Sequence, residues 1–294
     1  VIGRVVLLVA ALAAAHQQSL AQSGARARGT LFIVGGGPQP PALVQQFVDL
    51  AGGRGKAKIV VFAEASEDGL KSGEEKAADL RQLAANAQNV WVTREQAGTD
   101  SVAHLLDGAT GVWFGGGDQV RFNKVLRGTK TEAAIHARFN AGAVIGGTSA
   151  GAAVMSEVML TGDELHPGGD RRDTTTAYMT VARDNIVTDQ GFGLIRNAIV
   201  DQHFLRRKRQ NRLMSLVLDR EPHLGAGIDE STALIVHPDG RWTVSGASSV
   251  IVYDARQSKV TPRQARVLGG TNMRVHVLPA GSSFDPRTGM AKLP

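Results

Sequence analysis

The sequence predicts an α/β fold: a mostly parallel sheet with helices on both faces, and antiparallel strands toward the C-terminus. Three observations predict it. Short, continuously apolar segments recur through the first half of the chain, and such strands belong to sheets covered on both faces. Segments of helical character separate them, which is the alternation of parallel strands joined by crossovers. Two of the strands run straight into glycine triplets, Gly35-Gly36-Gly37 and Gly115-Gly116-Gly117.

The elements follow in order. Leu31–Val34 is a short apolar strand, and Pro41–Leu50 reads as a helix. Lys58–Ala63 is rich in β-branched residues and reads as a strand. Glu74–Asn86, rich in Ala, Leu and Lys, reads as a helix, Asn89–Thr93 as a strand and Ser101–Asp107 as a short helix. Gly111–Phe114 is a strand, Thr131–Asn140 a helix, Ala143–Gly147 a strand and Ala150–Val158 a helix. Thr161–Thr180 is polar and reads as a loop that could form a lid. In the last third, Gly225–Ile228, Thr232–His237, Trp242–Gly246 and Ser249–Tyr253 read as short strands that extend the same sheet antiparallel. Residues 30–294 are expected to form one domain.

Composition narrows the function. The 294 residues, 43% hydrophobic and 20% charged, suit a folded globular chain with a sizeable core. Cysteine is absent, which excludes disulfides, thiolate metal sites and a cysteine nucleophile. The net charge is +6, which permits an anionic partner. Aromatics are only 5%, too few for a platform that stacks single-stranded nucleic acid, so no nucleic-acid partner is expected. Arg4 precedes the apolar run Val5–Ala15, which is too short to span a bilayer; Ser19 and Ala21 supply small residues before a cleavage point. The expectation is a signal peptide over 1–21 and a linker over 22–29. The mature protein is then exported, periplasmic or extracellular, with no stable membrane anchor.

The sharpest motif is Gly147-Thr148-Ser149-Ala150-Gly151, between a strand and a helix. A nucleophilic serine needs a tight turn that lifts its hydroxyl off the sheet, with glycines where neighbouring backbone passes close. The Ala150 N–H then becomes a natural oxyanion donor. In a parallel sheet, loops at the carboxyl ends of strands share one crevice, so Gly116 or Gly117 could complete the oxyanion hole, and Gln119 could donate to a substrate carbonyl or carboxylate.

An activated serine needs a base near neutrality and a group that holds its tautomer. Of the eight histidines, His203 is the one set in polar company just past an apolar strand-like run, in Ile199-Val200-Asp201-Gln202-His203-Phe204; the others sit in the signal segment or in helices, loops or strand ends without such company. Glu230, at the end of another strand, is the preferred orienting acid; Asp229 is the plainer alternative and Asp201 the rival. Arg206–Arg212 holds five cations in seven residues. Beside a catalytic histidine, arginines suit bidentate recognition of substrate carboxylates.

Taken together, GGTSAGA at 146–152, GGDQ at 116–119, DQHF at 201–204 with its arginines, and Gly227-Ile228-Asp229-Glu230 resemble the cyanophycinase family of serine peptidases. That family is related to aspartyl dipeptidases and has a class I glutamine amidotransferase-like fold. The resemblance implies a triad of Ser149, His203 and Glu230, and an oxyanion hole from Gly116, Gly117 and Ala150. It implies substrate contacts at Gln119, Asp201, Gln202, Arg207, Arg209 and Arg212, no metal or other cofactor, and a homodimer. The implied substrate is cyanophycin, or a β-aspartyl peptide; the polymer has an aspartate backbone with arginine on each side-chain carboxyl, and it is cut to β-aspartyl-arginine dipeptides. Two alternatives stay open: an aspartyl or isoaspartyl dipeptidase of the same fold, and a non-catalytic exported module that binds polyanions.

Overall fold

The first strand shows how the sheet is built. In Thr30–Val34, Leu31 and Ile33 face one apolar cluster while Phe32 and Val34 face another. A strand buried on both sides cannot alternate apolar with polar, which is why these segments are continuously apolar. The computed structural model describes residues 29–165, 171–173 and 180–294. The expected signal peptide and, apart from Gly29, the linker lie outside those residues.

The strands are β1 (Thr30–Val34), β2 (Lys58–Phe62), β3 (Asn86–Val90), β4 (Gly111–Phe114), β5 (Val144–Thr148), β6 (Val158–Leu165), β7 (Arg171–Asp173), β8 (Ile186–Gln190) and β9 (Ile199–Asp201). Then follow β10 (Leu224–Ile228), β11 (Thr232–Val236), β12 (Trp242–Gly246), β13 (Ser249–Asp254), β14 (Lys259–Val260), β15 (Gly270–Thr271), β16 (Arg274–Pro279), β17 (Ser283–Asp285) and β18 (Met290–Lys292). The helices are α1 (Pro41–Leu50), α2 (Gly69–Gln82), α3 (Arg94–Ala97), α4 (Asp100–Ala103), α5 (Gln119–Leu126), α6 (Lys130–Asn140), α7 (Ala150–Ala153) and α8 (Gln210–Asp219).

The main sheet has the order β18-β17-β12-β11-β1-β5-β4-β2-β3. Its run from β1 to β3 is parallel, and the strands from β11 outward are antiparallel. Helices α1 and α2 cover one face through Phe47, Val48, Ala77 and Leu80. Helices α5 and α6 cover the other through Phe122, Leu126, Ile135 and Phe139.

Several boundaries differ from the sequence reading. Helix α2 begins five residues earlier than expected, where the Asp68 side chain accepts from the Lys71 N–H at 3.1 Å. Gly73 inside it lowers helix propensity, but a Cβ there would collide with the Asn89 side chain. Strand β3 correspondingly begins at Asn86; it is an edge strand, half exposed, with a weak apolar signal. Ser101–Asp107 is two short pieces, α4 and a 3₁₀ turn over His104–Leu106. Helix α5 was not anticipated, although Asp118 caps it by accepting from the Val120 and Arg121 N–H groups. Helix α7 is a single turn, and the chain enters β6 by Val158. The expected 161–180 loop therefore begins as strand: β6 pairs with β7 and β8, while 166–170 and 174–179 lie outside the described residues.

The last third also divides differently. Strands β11 and β12 extend the main sheet as expected, but β10 and β13 leave it for a second sheet of order β16-β13-β10-β9. The reason is burial on both faces. Val200, Ala226, Ile228, Val250 and Val252 pack inward on the main sheet's core, while Ile199, Ile251 and Tyr253 pack outward against Leu213, Leu216 and Val217 of α8. Within this second sheet β9 and β10 are parallel. Among the described residues, no helix is long and apolar enough to cross a membrane.

Phe47 ties α1 to the sheet, its ring 5.8 Å from that of Phe32 and 4.9 Å, edge-on, from that of Trp113. Phe47→Ala is expected to cost about 3–5 kcal/mol of stability, read as a lower urea midpoint with the slope unchanged.

Candidate active site

Ser149 occupies the one-residue corner between β5 and α7. Its backbone angles, φ 54° and ψ −113°, are costly for a residue with a Cβ. Several contacts hold it there. The Ser149 N–H donates to the Val34 carbonyl at 3.1 Å, and its own carbonyl accepts from the Ala152 and Ala153 N–H groups at 3.0 Å each. The flanking glycines are needed for space: a Cβ on Gly147 would lie 2.6 Å from the Gly151 carbonyl oxygen, and one on Gly151 would run into the Phe114 carbonyl. The serine hydroxyl makes no capping bond to its helix; it meets His203 Nε2 at 2.9 Å.

His203 stands two residues beyond β9, and Glu230 two beyond β10. Because those strands are parallel, their ends project toward the same rim. The His203 Nδ1 lies 2.6 Å from Glu230 Oε1. An ionised carboxylate only accepts, so Nδ1 carries the proton and Nε2 is left to accept from the serine hydroxyl. The His203 backbone, at φ 48°, is tied down by its N–H donating to the Gly35 carbonyl at 2.6 Å. Burial pushes the imidazole's pKa below its ordinary value; the Glu230 hydrogen bond pulls it back up, and the Arg207 and Arg209 charges push it further down. A shift in that direction favours the neutral imidazole, the form in which Nε2 can accept a proton.

The sequence reading assigned no site role to Gly35-Gly36-Gly37. A Cβ on Gly36, where φ is +103°, would run into the His203 ring, and one on Gly37 would lie 2.7 Å from Glu230 Cβ. The triplet is where β1 yields its rim to the imidazole and carboxylate. Its signal was available in the parallel with Gly115-Gly116-Gly117, since both triplets close strands of the same sheet.

The three acids considered for the orienting position separate cleanly. Glu230 bonds the imidazole. Asp229 accepts from the Leu205 and Arg206 N–H groups at 3.1 and 3.0 Å and from the Ser248 hydroxyl at 2.8 Å, anchoring the turn after His203. Asp201 accepts from Arg212 Nε at 2.7 Å, from a second Arg212 nitrogen, and from the Gln202 N–H at 2.8 Å.

Asp201 and Arg212, expected to contact substrate, are brought together as a buried pair. Each is 1% exposed, sealed between the second sheet and α8, and neither lines the cavity at Ser149. Their pairing supports the β9 end that carries His203. Gln119 lines the cavity beside Ser149, and its amide nitrogen donates to the Leu160 carbonyl at 3.0 Å and to the Thr161 carbonyl, tying α5 to β6.

The remaining expected residues converge. A cavity of about 700 Å³ is lined by Ser149, Gly117, Gln202, Arg207 and Arg209. Gln202 is buried, and its side-chain carbonyl oxygen has no hydrogen-bond partner among the described residues. Arg209 is also buried and donates to the Gln202 backbone carbonyl at 2.8 Å. Asp163 and Asp189, which the sequence reading did not single out, line the same cavity. A Cβ on Gly116 would lie 3.4 Å from Ser149 Cβ, so that loop passes directly beside the serine. Among the described residues, the N–H groups of Gly116, Gly117 and Ala150 donate to no backbone carbonyl.

The model of peptidase family S51 matches residues 31–243. The chain belongs to peptidase family S51. It is a serine-type peptidase, and its curated relatives carry the name cyanophycinase. The one from Trichormus variabilis is 32% identical over 241 residues, covering 79% of this chain and 76% of the relative. The one from Geminocystis herdmanii is 29% identical over 272 residues, covering 89% and 95%. Among solved structures, a peptidase from an acI-B1 Actinobacterium superposes with TM-score 0.62 at 21% identity, covering 89% of this chain and 98% of that one. A putative peptidase E from Listeria monocytogenes gives TM-score 0.51 at 15% identity, covering 75% and 99%. These two likenesses carry the α/β fold.

The buried Asp201–Arg212 pair distinguishes support from recognition in this S51 peptidase. Arg212→Ala leaves a buried carboxylate without its main partner and is expected to cost about 3–5 kcal/mol. Replacing both residues with leucine is expected to recover much of that loss in urea denaturation.

Proposed function

We propose that this S51 peptidase hydrolyses cyanophycin from the chain end to β-aspartyl-arginine dipeptides, with Ser149, His203 and Glu230 as its triad. The observation that carries the reading is the continuous hydrogen-bonded chain of hydroxyl, imidazole and carboxylate opening onto a cavity that holds arginines and acids together. The mechanism follows from the geometry. His203 Nε2 takes the Ser149 proton as Oγ attacks the scissile carbonyl carbon. The carbonyl oxygen gains negative charge, for which N–H groups of Gly116, Gly117 and Ala150 are the available donors. The imidazolium, stabilised by Glu230, returns the proton to the leaving nitrogen as the C–N bond breaks. Water then attacks the acyl-enzyme by the same route in reverse.

The substrate's chemistry supports the choice. The polymer presents an α-carboxylate and a guanidinium at each repeat. Arg207 and Arg209 suit the first, while Asp163, Asp189 and the unpartnered Gln202 carbonyl suit the second. Two names among the relatives point the same way. The leader-like segment over 1–21 supports an exported enzyme that digests polymer released by other cells.

Incubation with insoluble cyanophycin is expected to release β-aspartyl-arginine, identified by mass. Ser149→Ala is expected to lower turnover by about 10⁴–10⁶ while polymer binding persists; undiminished dipeptide release by that variant would overturn the assignment.

The pH profile offers a second check. The catalytic form has neutral His203, so kcat/KM is expected to rise with pH along an acidic limb whose midpoint lies below 6.5. Arg207→Gln removes a cation that disfavours imidazolium. The midpoint is expected to move upward; a midpoint that stays or falls would contradict the influence of the Arg207 charge on the imidazole.

A further inference from the structure

A second cavity lies beside the catalytic one, across the wall made by Ala65 and the start of α5. Ala65 anchors that wall: its carbonyl accepts from the Asp118 N–H at 2.8 Å and Arg121 Nη1 at 3.0 Å, and Gly117 packs directly upon it. On the catalytic side are Gly117, Asp118 and Gln119; on the other are Ser66, Glu67 and Arg121. This second cavity has a volume of about 550 Å³.

Its unusual member is Glu64, two residues beyond β2 and 2% exposed. One carboxyl oxygen accepts the Val92 N–H at 3.2 Å, and the other is buried with no hydrogen-bond partner among the described residues. An unsatisfied carboxyl oxygen in that position is expensive to maintain for structure alone. Around it stand Val92, Val125 and Trp91, a residue 48% exposed whose indole is seated against Gly69 at the start of α2. The combination is an acid at the floor, aliphatic walls and an open aromatic face. An alkyl stem ending in a flat cation satisfies all three, through charge pairing, apolar contact and stacking of guanidinium on indole.

We propose that this cavity is a subsite for an alkylguanidinium group, engaging a second arginine side chain of an extended substrate while the catalytic cavity holds the unit being cut. The choice of guanidinium rests on the function proposed above; the cavity's demand for an organic cation does not.

Burial raises the Glu64 pKa to about 8, against the bonds to its own backbone and to Val92, which lower it. Near neutrality the group is held protonated, and a cation docking on the free oxygen drives the proton off. The other charged groups lining the cavity are Glu67 and Arg121, which pair with each other at 3.2 Å. Binding should therefore tighten between about pH 6.5 and about pH 8.5 as the carboxyl loses its proton.

The test uses N-propylguanidinium as the probe, titrated calorimetrically into the full chain carrying Ser149→Ala, so that binding is read without hydrolysis. Glu64→Gln is expected to weaken one binding event at least tenfold, and Trp91→Ala, a change at a half-exposed side chain, at least threefold. In the hydrolytically competent chain, Glu64→Gln is expected to raise KM for the polymer several-fold. Binding that neither Glu64→Gln nor Trp91→Ala alters would overturn the subsite; should the first variant fail to fold, the second decides alone. The two proposals fail separately. Polymer hydrolysis with Glu64-independent binding sinks the subsite only, and Glu64-dependent binding by a chain that cuts no cyanophycin sinks the substrate assignment only.

Discussion

The imidazole of His203 is the point on which the rest of the structure turns. It bonds the Ser149 hydroxyl with one nitrogen and the Glu230 carboxylate with the other, while its ring lies against Gly36. Four strand ends must therefore meet at one place. Two of them, the ends of β1 and β5, come from the main sheet, and two, the ends of β9 and β10, come from the second sheet. Each part of that convergence is held by backbone: Ser149 by the Val34 carbonyl, His203 by the Gly35 carbonyl, and Ser231 by the Gly36 carbonyl at 2.8 Å. The left-handed backbone at Ser149, His203 and Ser231 is the conformational cost of aiming side chains from strand ends into one crevice.

Charge is arranged around that point with unequal exposure, and exposure sorts the roles. Asp201 and Arg212 are sealed together, where a lost partner would leave a charge without water or counter-ion. Arg207 and Arg209 remain at the cavity, close enough to disfavour a proton on His203. Those cations thereby favour the neutral imidazole. Glu230 opposes them through its hydrogen bond to Nδ1, which also holds the tautomer.

The glycines explain why so much of this architecture is visible as punctuation. Gly147 and Gly151 sit where backbone crosses backbone, and Gly36 where backbone meets an imidazole. Gly225 and Gly227 in β10 have the same origin, since Val217 and Phe204 pack directly on that strand. A glycine-rich strand such as Leu224–Ile228 thus marks a place where two layers press close, and its poor strand propensity is overridden by burial.

Local chemistry determined a good deal from sequence alone. Continuous apolar strands, the Gly-x-Ser-x-Gly corner, His203 at the end of an apolar run and Glu230 two residues past the next strand were all legible, because each depends on residues close by in the chain. Helix α5 and the early start of α2 were as local but weakly marked, by the caps Asp118 and Asp68 beside glycines that lower helix propensity. The division of the C-terminal strands between two sheets, the burial of Asp201 and Arg212 as a pair, the use of the Gln119 amide by β6, and the isolation of Glu64 were decided only by the tertiary structure. A charged or polar side chain looks the same in sequence whether water, another chain segment or a substrate completes its bonds. Only folding, which brings residues dozens of positions apart into contact, chooses among them.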